Sequence, residues 1–342
     1  MPVDKEVLFK DSQMPILNTR QKRYNNIRFS SEVVEGKLVL KSEEGTLELS
    51  IFDEIVLQII CKFKFCPLWL AKQWYETQLS LINDDTSMIR KMIDYGLVYE
   101  FPSAVSVFLM PTNRLASLLG VELGAFTNPP YNTLTHTISE EQVLFECLSG
   151  QANYLGDAPK VPFVSSLGLG KLEEGCYTIP ESDYSVRTKY FNDHIEEFND
   201  QEAILASEML QGKVITTPDL KQSKLTIHKK IDVDKYDIKV PDLAVLAPRK
   251  VVNGIAMPQS IALEVELTCK GINAYIDILE LYWDNLRYGT VVYLVNDERT
   301  KGCLLEADKI VKARHQDEAD SRTCKLLINE FVVPYDKSQM MM

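Results

Sequence analysis

The chain has 342 residues, 45% hydrophobic and 25% charged, with 37 basic against 49 acidic side chains and a formal net charge of −12. That length accommodates two domains with separate cores, and the composition is that of a globular protein rather than a fibrous, low-complexity or membrane-embedded chain. The acidic balance argues against strong non-specific nucleic-acid affinity, which comes from counterion release by clustered Lys and Arg, so any contact with DNA has to be local.

Seven cysteines, odd in number and without a C-x-x-C pair, indicate neither a disulfide framework nor a structural zinc site, and they fit a reducing cytoplasm. The opening Met-Pro-Val-Asp-Lys-Glu is too charged for a signal peptide. The longest apolar run, Ile55 to Cys61, is interrupted by Gln58 and far short of a membrane span. The expectation is a cytoplasmic protein with no membrane partner.

Residues 1–49 form an amino-terminal arm. Arg20, Lys22, Arg23 and Arg28 carry no acid between them and have Tyr24 interleaved, a local basic stretch that suits either DNA or a solvated lead-in to a strand. Strand-like runs at Glu32 to Leu40 and Thr46 to Leu49, separated by Ser42-Glu43-Glu44-Gly45, predict a small hairpin.

Residues 50–125 predict three helices and two strands. Ile55, Val56, Ile59, Ile60 and Phe63 form the buried stripe of the first helix, ending near Pro67, and a second runs from about Leu68 to Thr77. The third is headed by Asn83 or Asp84, buries Ile89, Met92 and Ile93, and closes at Gly96. Strands at Leu97 to Phe101 and Val105 to Met110 follow.

Three helices and a hairpin are the order of a winged helix-turn-helix, whose third helix enters the major groove of double-stranded DNA. Its outward residues here are Thr86, Ser87, Arg90 and Lys91. Residues 50–120 carry six basic and seven acidic side chains, a net charge of −1, which leaves a protein-contact or homodimer role open beside the DNA reading.

Residues 126–200 read as a helical and irregular connector, with Asn128-Pro129-Pro130 as a boundary and a helix from about Ser139 to Leu148 headed by His136, a packed or capping histidine. No element is assigned from Gln151 to Asp183. The last domain, 201–342, starts with a helix at Gln201 to Leu210 and strands at Val214 to Thr217 and Lys224 to Lys229. Pro218-Asp219 has no acid pair on a strand after it, whereas Pro241-Asp242 is followed by the strand Ile-Ala-Leu-Glu-Val-Glu-Leu-Thr-Cys-Lys. Period-2 alternation puts Glu264 and Glu266 on one face, roughly 6–7 Å apart.

Ile272, Tyr275, Ile278, Leu279, Tyr282 and Leu286 then define a helix, and Thr290 to Asn296 a strand apolar on both faces. A charged helix from Leu305 to Arg314 and a strand from Lys325 to Val333 complete the domain. Ionised acids in a sheet covered on both faces require protonation or a cation. Mg²⁺ or Mn²⁺ held by Asp242, Glu264 and Glu266 meets that need and suits phosphodiester hydrolysis. A decayed site retained for binding, or an edge strand with a solvated face, are the other readings these residues allow.

On these residues the chain resembles the PD-(D/E)xK nuclease superfamily, whose core runs helix, aspartate-bearing hairpin, acid-bearing strand, helix and strand. Glu266 stands where the superfamily lysine usually sits, and Lys270 just past the strand can reach back in its place. The run from Asp242 to Asn296 is similar, more closely, to the replication-relaxation proteins of bacterial plasmids, phages and conjugative elements, which carry an E-V-E-L-T-x-K segment behind an amino-terminal winged helix.

The resemblance implies a protein of mixed α+β and α/β class, a winged helix-turn-helix followed by a nuclease-like mixed sheet flanked by helices. It also implies DNA association in a mobile element, alongside replication or transfer proteins. Asp242, Glu264, Glu266 and Lys270 become the candidate catalytic set, with Glu208 in the position of the helix acid. A non-catalytic regulator or replication accessory factor is the alternative.

Overall fold

The structure, a computed structural model, describes residues 29–43, 45–79, 87–103, 106–121, 123, 131–156, 163–172, 178–180, 241–245, 247, 250–252, 255–257, 259–283, 288–315 and 324–332. Over these residues the protein is mixed α and β, with seven helices and small sheets. They divide into two compact units, one drawn from Met1–Phe145 and Val164–Leu172, the other from Glu146–Phe163 and Glu173–Val333. The basic stretch at 20–28, the elements expected between 201 and 229, and Glu208 lie outside the described residues, as does Thr86.

The first unit opens with an antiparallel sheet of β1 (Phe29–Val34), β2 (Lys37–Ser42) and β3 (Gly45–Leu49). The sequence predicts one hairpin here; there are two, because the run from Glu32 to Leu40 breaks at Glu35-Gly36. Both residues have positive φ, 50° and 74°, as a two-residue hairpin turn of the right twist requires. Gly36 accommodates that conformation freely, while Glu35 is an unusual occupant, which hid the turn.

Helix α1 (Ile51–Phe63) starts at Ser50, whose backbone N–H donates to the Asp53 carboxylate at 2.6 Å. It ends at Lys64 in the left-handed conformation, three residues before the proline expected to stop it. Next come β4 (Cys66–Pro67), α2 (Leu68–Leu79) and α3 (Ser87–Asp94). Gly96 closes α3 as its position suggested. The Leu97 N–H donates to the Met92 carbonyl and the Gly96 N–H to that of Ile93, both at 2.9 Å, the double bond of a Schellman end.

Strands β5 (Val98–Pro102) and β6 (Val107–Pro111) pair antiparallel, and β4 joins the far edge of β6. Helix α4 (Asn113–Leu119), which periodicity alone passes over, is capped by the Thr112 side chain accepting from Leu115 N–H at 3.2 Å. Helix α5 (Tyr131–Leu148) begins a full two turns before the expected Ser139 and therefore contains His136. A ribbon of β7 (Phe163–Val164) and β8 (Lys171–Leu172) lies within the stretch that resisted assignment. Phe65, Phe101, Phe108, Met110, Leu134 and Ile138 pack as one buried cluster, each large side chain contributing roughly 1.5–3 kcal/mol of burial.

The second unit is built on a five-stranded sheet ordered β15-β14-β13-β10-β9, where β9 is Thr178–Pro180, β10 Leu243–Val245, β13 Ser260–Glu266, β14 Tyr288–Val295 and β15 Lys325–Glu330. Between β10 and β13 in the chain, β11 (Lys250–Val252) and β12 (Ile255–Met257) form a separate ribbon. β10 runs antiparallel to both β9 and β13, whereas β13, β14 and β15 are mutually parallel. Parallel neighbours need crossovers, supplied by α6 (Ile272–Trp283) and α7 (Glu298–Arg314).

All seven residues of β13 are buried, the pattern of a strand covered on both faces. Helix α7 starts at Glu298, seven residues before the expected Leu305, behind the cap residue Asp297, whose side chain accepts from Thr300 N–H at 2.8 Å. The sequence reading missed this cap because the apolar pattern of α7 is weak and its charged first turn looks like a loop.

Candidate functional site

In the second unit β10 and β13 bring the predicted acids onto neighbouring strands. Register pairs Leu243 with Leu263 and Glu264 with Tyr293, so Asp242 just before β10 stands beside Glu264, and Tyr293 shares the glutamate face. Glu264 and Glu266 are 4% and 5% exposed. Asp242 is half-buried and its carboxylate accepts from the Val265 backbone N–H at 2.7 Å. That bond ties the strand entrance of one acid to the strand carrying the other two.

The glutamates have protein partners as well. The Tyr282 hydroxyl, from the inner face of α6, donates to Glu264. Lys270 places its ammonium 2.7 Å from Glu266, which is the reach-back that the chain order allows, although the side chain of Lys270 stays 48% exposed. Its backbone N–H donates to the Tyr275 hydroxyl at 3.2 Å.

Tyr293 was legible only as an apolar strand position, and Tyr282 only as part of a helix stripe; the signal was a tyrosine at positions where Val or Leu would pack without a polar tip. The Tyr293 hydroxyl is buried with no hydrogen-bond partner among the described residues. Burial, then the charges of Glu264, Glu266 and Asp242, hold its phenol well above the ordinary range. The Tyr282 phenol is raised for the same two reasons, burial and Glu264.

An all-oxygen donor set of this kind suits a hard divalent cation and not a soft one. The orphaned Tyr293 hydroxyl is a further polar group in need of a partner at the same place. Among the described residues, however, ligand oxygens of Asp242, Glu264 and Glu266 do not all come within 4.8 Å of one another, so a shared cation would need the three to close up.

In the first unit Ser87, Arg90 and Lys91 lie exposed on α3 while Ile89, Met92 and Ile93 are buried. Arg90 sits 3.5 Å from Asp94 on the exposed surface, a pairing worth little in water. His136 is inside α5 with Nδ1 2.9 Å from Glu140. No helix among the described residues is long and apolar enough to cross a membrane. Comparison with family models, with characterised proteins and with solved structures finds no match to this chain.

Proposed function

We propose that the chain is a DNA-binding protein of a mobile genetic element, with a winged helix in its first unit and a PD-(D/E)xK nuclease-like second unit that carries out metal-dependent phosphodiester cleavage. The observation that carries this reading is the placement of Asp242, which accepts from the Val265 N–H at 2.7 Å, beside the strand that carries Glu264 and Glu266, at the point where an antiparallel strand pair passes into a strand-helix-strand crossover. The order α1-β4-α2-α3-β5-β6, with β4 and β5 flanking β6, supports the winged-helix reading of the first unit.

In this reading Asp242, Glu264 and Glu266 hold Mg²⁺ or Mn²⁺, and what a bound divalent ion supplies there is activation of water and neutralisation of phosphate charge. The chain's own groups prepare the site. The Val265 N–H fixes Asp242, the Tyr282 hydroxyl fixes Glu264, and the Lys270 ammonium is placed to offset charge developing on the phosphate. On α3, Ser87, Arg90 and Lys91 face solvent as a groove-reading helix needs.

A second reading is favoured by one specific contact. The Lys270 ammonium is paired with Glu266, as in a site that docks DNA or a partner protein without cutting. Incubating supercoiled, linear and forked DNA with Mg²⁺ or Mn²⁺ separates the two. Cleavage by the wild type that is lost in Asp242→Ala supports the nuclease; retention of DNA with no nicking supports the regulator. The pair Arg90→Ala with Lys91→Ala should weaken duplex binding and lower its salt slope by about 1–2. An unaltered slope removes α3 as the reading helix.

A further inference from the structure

We propose that Cys269 and Cys303 are a redox-sensitive thiol pair, oxidised to an intramolecular disulfide by a peroxide or a small-molecule disulfide, which staples the Lys270 loop to the start of α7. Cys269 lies in the loop between β13 and α6, one residue before Lys270, and Cys303 lies in the second turn of α7. Their sulfurs are 3.5 Å apart, and both residues are partly exposed. Two different elements of the same unit therefore present thiols in van der Waals contact within reach of solvent.

The other described cysteines lack that access. Cys61, Cys66, Cys147 and Cys324 are buried, and burial pushes the thiol of Cys61 up to about 12 and that of Cys66 well above the ordinary range, whereas the thiol of Cys303 is raised first by its contact with Cys269. A thiol without access or thiolate character is inert.

Closing the bond brings the sulfurs to about 2.0 Å, a movement of about 1.5 Å. The segment 267–271 can absorb it, since it is neither strand nor helix and ends at Gly271 with φ +90°. With a peroxide, one thiolate attacks an oxygen, the O–O bond breaks, and a sulfenic acid and hydroxide form. The second thiol sulfur then displaces the sulfenic oxygen, forming S–S while the departing oxygen leaves as water. The pair loses two electrons and two protons, and the peroxide becomes two waters. With a small-molecule disulfide, two successive exchanges reach the same bond and release two thiols.

The consequence is local. Lys270 takes its position from this loop, through its backbone N–H to Tyr275 and its ammonium to Glu266. A disulfide at the adjacent residue fixes where that ammonium can go. The thiol pair stands on geometry alone, and only its effect on DNA rests on the function proposed above.

The test uses the full chain, reduced, then exposed to hydrogen peroxide or oxidised glutathione and digested without reductant for mass spectrometry. Expected is a Cys269–Cys303 linked peptide from a single chain, lighter by two hydrogens and reversed by dithiothreitol. It should be absent from Cys269→Ser and Cys303→Ser, each with the circular dichroism of the wild type. Oxidation should also raise Tm by about 5 °C in the wild type and not in the serine variants.

Separate oxidation or glutathionylation of the two residues, a link between chains, or no reaction at either thiol would overturn the pair. If the peptide forms and neither state touches DNA, the pair stands and the nuclease reading fails. If both states bind and cut DNA equally, the coupling to Lys270 is wrong.

Discussion

Both units bury carboxylates, and they treat them differently. In the first, Glu54 on α1 is fully buried and receives the Ser165 hydroxyl, the Ser166 backbone N–H and hydroxyl at 2.7 Å each, and the Gln58 amide at 2.8 Å. Neighbouring Asp53 takes the Ser50 N–H at 2.6 Å and the Tyr75 hydroxyl at 2.8 Å. These donors are neutral, and they come from segments that the acids pin together: the 164–172 ribbon to α1, and α2 to α1. In the second unit Glu264 and Glu266 are buried on one strand with Asp242 at the entrance of its neighbour, and burial and then these acids hold the phenol of Tyr293, which has no partner among the described residues, well above its ordinary range. A carboxylate encircled by neutral donors is architecture. The second-unit acids have neutral donors too, the Val265 N–H at Asp242 and the Tyr282 hydroxyl at Glu264, but Glu266 is paired with the Lys270 ammonium, and like charge concentrated in a covered sheet has a cost.

The largest effect that tests this contrast is at Glu54. Replacing it by Ala strands two serine hydroxyls, a backbone N–H and an amide, so Glu54→Ala should lose about 3 kcal/mol or more in urea unfolding. A cost near 1 kcal/mol would mean that the ribbon holds to α1 by other means, and Glu54 would cease to exemplify a structural acid.

Glu141 on α5 is an intermediate case. It is fully buried, its carboxyl oxygens make no hydrogen bond of ordinary geometry among the described residues, and its polar neighbour is the Cys66 thiol, a weak donor. Burial pushes its pKa well above the carboxylate range, reinforced by Glu140. The sign follows: a carboxyl raised above its unfolded value contributes stability at low pH and loses it as pH rises through the folded value. Glu141→Gln, neutral at every pH, should flatten the decline in stability that the wild type shows on the alkaline side of the ordinary carboxylate range. Parallel wild-type and variant curves, measured by denaturant unfolding across pH, would show Glu141 already ionised and paired.

Much of this arrangement was legible before any coordinates. Alternation in Leu-Glu-Val-Glu put the glutamates on one face, Pro-Asp marked the neighbouring strand entrance, and the apolar run from Thr290 to Asn296 required a covered strand, observed as β14. What escaped were features set by partners distant in sequence. Thr178–Pro180 joins β10 from within the presumed connector, through backbone bonds that three residues cannot advertise. Glu54 looked like an ordinary first-turn acid, because its ligands Ser165 and Ser166 lie more than a hundred positions away. Tyr282 and Tyr293 matched the apolar periodicity so well that their hydroxyls were invisible in it, and seven scattered cysteines gave no hint that two of them touch.

Tyr293→Phe sharpens the comparison by separating stability from binding. Removing a buried hydroxyl that lacks a partner should stabilise the second unit by about 1 kcal/mol. If that oxygen belongs to a cation site, the same variant should bind Mn²⁺ more weakly in calorimetric titration than the wild type does. Greater stability with unchanged Mn²⁺ affinity would leave the acids without an ion between them, and loss of stability would mean that the hydroxyl has a structural partner.

The smallest expected change in stability is at Lys270. Its ammonium is half-exposed beside Glu266, and such pairs contribute at most about 1 kcal/mol because solvent screens them. Lys270→Ala should therefore unfold within about 0.5 kcal/mol of the wild type while changing the site strongly. Without the ammonium the Glu266 carboxylate has no paired cation, and Mn²⁺ affinity should rise. A nuclease that uses Lys270 on the phosphate should at the same time lose DNA cleavage. Higher cation affinity with cleavage lost places Lys270 on the substrate, whereas higher affinity with cleavage gained makes it a plug in the site. Cation affinity that does not move at all would put Glu266 with Glu54 among the acids of architecture, and the distinction between the two units would then rest on Asp242 and Glu264 alone.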